Sequence, residues 1–188
     1  MWEKMMDWLR QFAPLQYRLP QVAVVVAPFL AQHYSESPFI WPPLGGLETY
    51  AAYPATLIIF LFSFIPVTLE NKQQAKSWVK GAIAMACVTF VIYAFLFERY
   101  VISEETPANG IQTRSVGFRV EPPIRALYPD KNNSELLRIG GLEDWQIQKV
   151  WTPGSVLALR LSLLITLILT LGLANVALGA AAQLKRKG

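Results

Sequence analysis

The chain of 188 residues is 53% hydrophobic and 16% charged, a composition shifted from that of soluble domains toward that of membrane proteins. Its formal net charge of +4 does not indicate nucleic-acid binding, because the basic residues lie mostly at the ends of apolar segments, where membrane topology accounts for them. The single cysteine, Cys87, excludes an intrachain disulfide, and the charged and aromatic first residues predict no removable signal peptide.

Residues 1–14 are predicted to form an amphipathic helix that lies in the membrane interface. Apolar residues fall on one side of a helical projection, charged residues fall on the other, and Pro14 ends the pattern. The periodicity indicates a buried stripe without identifying what buries it, so lipid, the protein's own spans and a partner protein are all open alternatives. The candidate lipid or partner contacts are Trp2, Met5, Leu9 and Phe12.

Residues 15–97 are predicted to contain three membrane spans with short loops. The first, Leu19–Ala31, is short for a span and is interrupted by Pro28. Topology favours it nevertheless, because the following segment, Gln32–Tyr50, contains no Lys or Arg and is typical of a translocated loop.

The second and third spans are predicted at Ala51–Leu69 and Gly81–Phe97, both of which are strongly apolar. The segment between them, Glu70–Lys80, carries three lysines and one acid. Short basic loops stay on the cytoplasmic side, so we predict a cytoplasmic loop here.

Residues 98–154 form the one predicted extramembrane module, a small mixed α/β unit on the outer side of the membrane. Alternating apolar and polar residues predict a strand over Ser115–Val120. Ser134–Arg138, followed by Gly140 and Gly141, has the pattern of a short capped helix with a glycine stop. Leu142–Trp151 fits neither periodicity and is left unassigned.

Residues 155–188 are predicted to contain the long last span, Val156–Ala182, and a basic tail. Trp151 before the span favours a headgroup position, whereas Lys185–Lys187 behind it resists translocation. The predicted fold is therefore an all-α membrane protein: a four-span helical bundle with both termini cytoplasmic, placed in a plasma membrane, most simply a bacterial inner membrane.

The last span carries the candidate intramembrane or oligomer contacts. Arg160 is an ionisable residue inside a span, which costs at least ~2.5 kcal/mol at the bilayer centre. Its position near the span's end favours a side chain that snorkels to the headgroups, and the alternative is an interhelical pair or an anion contact. One face offers small and amide side chains and a second offers hydroxyls, and both suit close helix contacts within the chain or between copies. These residues are Gly172, Asn175 and Gly179 on the first face and Ser162, Thr166 and Thr170 on the second.

No catalytic, metal or cofactor site is predicted. The lone histidine, His33, cannot form a multi-histidine metal site, and the adjacent carboxylates Glu104-Glu105 and Glu143-Asp144 are interpreted as solvated surface. We therefore expect a non-enzymatic protein without a cofactor.

The architecture permits three classes of function. The first is a small oligomeric multi-pass protein that acts as a sensor, scaffold or membrane-perturbing effector subunit of a larger system, for example in stress or phage defence. Its expected partners are membrane lipid, further copies of the chain and another protein, with no nucleic acid. The alternatives are a subunit of a channel, transporter or secretion complex, and a membrane enzyme that uses the loop carboxylates on lipid.

Overall fold

The computed structural model describes residues 42–45, 48–62, 72–106, 110–141 and 143–186. These residues are mostly helical and include a small two-stranded sheet, in keeping with the predicted helical class. The predicted amphipathic helix 1–14, the predicted span Leu19–Ala31 and His33 lie outside the described residues, so those predictions stay predictions.

The described elements follow one another in a simple order. The helices and strands are α1 (Glu48–Phe62), α2 (Lys72–Tyr100), β1 (Val101–Thr106), β2 (Gly110–Ser115), α3 (Pro122–Leu127), α4 (Asn133–Gly140), α5 (Asp144–Val150) and α6 (Pro153–Arg186). Short helices and the hairpin thus occupy the predicted module, between the two long helices α2 and α6.

Two of the described helices, α2 and α6, are long and apolar enough to cross a membrane by length and composition. They contain the predicted spans Gly81–Phe97 and Val156–Ala182. Helix α1 is apolar but has only 15 residues, and the rest of the predicted span Ala51–Leu69 lies beyond the described part of the chain. The described residues therefore provide two of the four predicted spans.

Helix α2 begins earlier than the sequence analysis predicts. Residues 72–80, assigned there to a loop, form its first turns. Lys, Gln and Ala are strong helix formers, so the helix continues past the apolar stretch in spite of its charge. At ~1.5 Å per residue, its 29 residues extend ~43 Å, more than the ~30 Å of a bilayer's hydrocarbon core.

The chain divides into two compact units, and the divisions fall within α2, after Thr89, and within α6, after Leu167. In the described ranges, the first unit contains residues 52–62, 72–89 and 168–186. The second unit contains residues 42–45, 48–51, 90–106, 110–141 and 143–167.

Small side chains line the helix contacts of the first unit. Ala52, Ala55 and Ile59 recur at i, i+3 and i+7 on α1, and all are at most 1% exposed. Alanines on α2 face alanines on α6 in two clusters, one that pairs Ala75 with Ala180 and one that contains Ala82 and Ala177. Because alanine brings little bulk, the helix backbones can approach closely, which is how membrane helices commonly pack.

The second unit has a conventional apolar core, built from the hairpin end, the short helices and the start of α6. Its buried members come from four stretches of the chain, and Trp151 is the largest of them at 0% exposed. The core residues are Val116, Leu136, Leu137, Ile147, Val150, Trp151 and Val156.

The predicted strand Ser115–Val120 is wrong in position. The antiparallel hairpin pairs Val101 with Ser115 and Thr106 with Gly110, so only Ser115 of the predicted strand lies in the sheet. Beyond it the alternation does not describe burial either, because Gly117 is buried whereas Phe118 is 58% exposed. Close contact of the Gly117 backbone with α6, which no periodicity reports, overrides the alternating pattern.

The predicted helix near Ser134 is confirmed, with a different cap. Asn132, rather than Ser134, closes a capping box: its Oδ1 accepts from the Glu135 N–H at 2.9 Å, and Glu135 Oε2 accepts from the Asn132 N–H at 3.1 Å. The hydrogen bond from the Asn132 backbone, together with the Lys131 ammonium, lowers the pKa of Glu135 below its ordinary value. Gly141 ends the helix at φ +97°, and the unassigned segment that follows forms α5.

Candidate functional site

Arg160 is the central residue of a buried polar site at the beginning of α6. Its side chain is only 7% exposed, and its Nε donates to Ser115 Oγ at 2.9 Å. The Ser115 hydroxyl in turn donates to the backbone carbonyl of Pro43 at 2.6 Å. This polar relay joins three segments that are far apart in sequence: the stretch before α1, the end of the hairpin and α6.

The local fold explains why Ser115 stands at the centre of the relay. It is the last residue of β2, and the next backbone N–H, that of Val116, donates to the carbonyl of Tyr100 at 2.9 Å. The hairpin is therefore closed against the end of α2, and the Ser115 side chain is held at 1% exposure. Because the hydroxyl proton goes to Pro43, a lone pair of Ser115 remains for the Arg160 guanidinium.

The structure corrects the snorkelling interpretation of Arg160. Snorkelling needs an exposed guanidinium, whereas Arg160 is buried and bonded to another segment of the chain. A buried charge is tolerated only when hydrogen bonds compensate for its lost hydration. Trp151 requires a similar correction, because its ring lies in the protein core and not at an exposed headgroup position.

A second hydroxyl, that of Ser155, joins α6 to the chain after the hairpin. Its Oγ lies 2.9 Å from the Thr152 carbonyl and 3.3 Å from the Arg119 N–H, so the hydroxyl donates to the first and accepts from the second. The Thr152 N–H also donates to the Arg119 carbonyl at 2.9 Å. Gly117 allows this approach, because a Cβ at that position would collide with Ser155 Oγ and the Cβ of Trp151.

The predicted hydroxyl face of α6 is divided between two roles. Ser162 and Thr166 donate to backbone carbonyls of their own helix, at 2.8 Å each. Thr170 instead donates across to Thr89 Oγ1 on α2 at 2.9 Å, and the Thr89 hydroxyl lies 3.0 Å from two carbonyls of its own helix. Thr170 thus bonds a second helix, α2.

The face that carries Gly172, Asn175 and Gly179 is buried within the chain. Asn175 is 0% exposed, and its Nδ2 donates to the Ile59 carbonyl of α1 at 3.2 Å. A Cβ on Gly172 would lie 3.0 Å from the ring of Phe62, so α1 occupies this face. Of the alternatives in the sequence analysis, this geometry supports packing within one chain for this face, and self-association stays a prediction for the hydroxyl face.

Of the loop carboxylates named in the sequence analysis, Glu143 has a described side-chain contact. Glu143 accepts from Trp145 Nε1 at 2.8 Å and caps α5, so its charge stabilises a helix start. Glu104 and Glu105 lie in β1, where they pair with Gln112 and Ile111. The described residues contain no group of three or more His, Cys, Asp or Glu side chains that could hold a metal ion.

Sequence reasoning identified Arg160 but missed Ser115, Gly117, Ser155 and Pro43. These residues are ordinary turn and strand-end types, and only the folded arrangement brings them to α6. Comparison of the chain with protein-family models, with curated proteins and with solved structures gives no match in any of the three.

Proposed function

We propose that the protein is a multi-pass plasma-membrane protein, most simply of a bacterial inner membrane, that acts without catalysis. In this proposal the module coupled to α6 serves as a sensor or scaffold that engages a further protein of a larger system. In the membrane-perturbing alternative of the sequence analysis, the same coupling between the module and α6 acts on the bilayer.

The exposed surfaces of α2 and α6 support membrane insertion. Only 17% of the most apolar stretch of α2 and 33% of that of α6 is buried within the chain. The core helix of a soluble domain is mostly buried, and soluble proteins rarely expose large continuous apolar surfaces. Exposed residues on these helices include Met85, Val91, Phe95, Leu157 and Ile165, each more than half exposed.

The relay through Arg160, Ser115 and Pro43 is the observation that carries the sensor or scaffold function. The polar side chains at this site bond to one another and to backbone, so their chemistry holds segments together. A displacement of the hairpin end would break a charged, buried hydrogen bond on α6, which is costly. Binding of a partner to the module can therefore act on the membrane helix α6.

The same relay supports the four-span topology. Pro43 precedes α1, Ser115 follows α2, and the two residues are hydrogen-bonded. A chain that leaves this place through α1 and returns through α2 crosses the membrane twice or not at all. We take the two-crossing path as part of the proposal, because α2 is long enough to cross by length and composition, and the lysines at its start favour the cytoplasm for that end.

We expect cysteines at Ser103 and Ser134, introduced into a Cys87→Ser background, to react with an impermeant thiol reagent in intact cells. Both positions are exposed and belong to the module proposed to lie outside. The matched control is Ser77→Cys, an exposed position on the first turns of α2, which should react only after permeabilisation. The reverse pattern would show that the proposed orientation is wrong.

Self-association is also part of the proposal, on an exposed face of α6 that shares Ser162 with the predicted hydroxyl face. Gly154, Ala158 and Ser162 recur at i, i+4 and i+8 on α6 and are all exposed. Small residues with this spacing let two helices approach closely.

The channel alternative retains the polar residues Thr89, Thr170 and Asn175 on the helices as its support. We expect the purified full-length chain, reconstituted alone into vesicles, to leave their ion permeability at the level of protein-free vesicles. Steady flux that scales with the amount of protein would favour the channel and contradict the scaffold.

A further inference from the structure

A cavity of about 540 Å³ lies against the first turns of α2. Among the described residues, its lining consists of Gln73, Lys76, Ser77 and Lys80. Their spacing of i, i+3, i+4 and i+7 places them on one face of the helix, and all four are exposed. The cavity therefore gathers two ammonium groups, an amide and a hydroxyl, all of which can donate hydrogen bonds to an anion.

Within the described residues, this face of α2 lies opposite the side that packs against α6. Ala75, on another side of the same turns, is 1% exposed and packs against Ala180. Within the described part of the chain, neither Lys76 nor Lys80 forms an ion pair or a hydrogen bond. Both charges are thus available to a ligand.

The cavity lies at the position along α2 where the exposed residues change from polar to apolar. The next turns on the same face carry Ala84, Cys87 and Val88, at i+4, i+7 and i+8 from Lys80, and all three are exposed. Trp78, 44% exposed, lies at the level of the lysines, and aromatic residues favour the headgroup layer of a bilayer. A matching ligand has an anionic head and a hydrocarbon tail.

We infer that this cavity binds the headgroup of an anionic phospholipid, an inference that rests on the proposed membrane location. Lys76 and Lys80 bind the phosphate, Gln73 and Ser77 donate to its oxygens, and an acyl chain lies along the exposed apolar stripe. Free phosphate shares the chemistry of the head but gains nothing from the stripe. Basic clusters at the ends of membrane helices recognise anionic lipids in this way.

The test is a titration of the full-length protein in a neutral detergent with fluorescent phosphatidylglycerol, and with fluorescent phosphatidylcholine in parallel. The variant is Lys76→Gln with Lys80→Gln, and the matched control is Lys131→Gln with Lys149→Gln, which removes the same charge from two exposed lysines of the module. Since each lysine contributes about fivefold, the variant should bind phosphatidylglycerol about twenty-fivefold more weakly. The control should bind it as the unaltered protein does, and phosphatidylcholine should bind weakly to all three.

Equal affinity of variant and control for phosphatidylglycerol would overturn the inference. Displacement of the lipid by millimolar inorganic phosphate would overturn it as well, because it would show that the site takes a free anion. Membrane location is measured separately by alkaline extraction of the membrane fraction. If the protein stays in the membrane but does not prefer phosphatidylglycerol, this inference alone fails, whereas its release into the soluble fraction contradicts the proposed function too.

Discussion

Replacement of Trp151 by alanine is expected to lower the free energy of unfolding of the module by about 3–5 kcal/mol, the cost typical of removing a large aromatic side chain from a core. Trp151 is 0% exposed and packs with residues of the hairpin end and of the short helices. The measurement is hydrogen exchange of the backbone amides of α4 and α5 in detergent, because exchange reports the stability of one part of a membrane protein.

Two further variants test this expectation. Trp145 is 54% exposed, so Trp145→Ala is the matched control and should cost less than ~1 kcal/mol. Trp151→Phe should cost less than Trp151→Ala, since it keeps most of the ring volume and removes an indole N–H that has no partner within the described chain. Equal losses for the two tryptophans would contradict the central place of Trp151 in the core.

The second large effect is expected at Ser115, where Ser115→Ala should destabilise the module by about 1.5–3 kcal/mol. The substitution removes the acceptor of the Arg160 Nε–H and the donor to the Pro43 carbonyl in one step, inside a buried site. Arg160→Leu should cost less, because it also removes the charge whose burial the relay compensates.

The double variant Ser115→Ala with Arg160→Leu should therefore be no less stable than Ser115→Ala alone. Hydrogen exchange of the module gives all four corners of this double-mutant cycle. The control is Ser103→Ala, which removes an exposed hydroxyl that pairs with Thr113 in the same hairpin and should change stability by less than ~0.5 kcal/mol. Additive effects at Ser115 and Arg160 would mean that the two side chains are not coupled, and the sensor or scaffold proposal would lose its main support.

The outcome of this cycle decides how the proposed function works. Strong coupling means that the module and the beginning of α6 behave as one body, so a partner bound to the module acts on the membrane helix directly. If the module and α6 can adopt two arrangements, a partner with the same affinity for both does not change their populations, however tightly it binds. Exchange measured with and without a candidate partner separates these cases.

Composition and periodicity predicted the long helices, because an apolar segment of this length has few stable structures other than a helix in water or lipid. They also predicted the helix near Ser134, since its cap and its glycine stop are local signals that act within a few residues. The predicted beginning of α2 was wrong because its first lysines were assigned to a cytoplasmic loop. Lysine is common in such loops, but it is also a strong helix former.

The candidate site, in contrast, was decided by the tertiary structure. Arg160 was visible as a charge in an apolar segment, but its burial depends on a serine 45 residues away, and that serine depends on a carbonyl 72 residues away. Likewise, the side chains of Gly172 and Asn175 suit either a second copy or the same chain, and the position of α1 decides between them. Local sequence determines which segments become helices because backbone hydrogen bonds and burial periodicity are local, whereas the partner of each polar side chain is decided only when distant segments pack together.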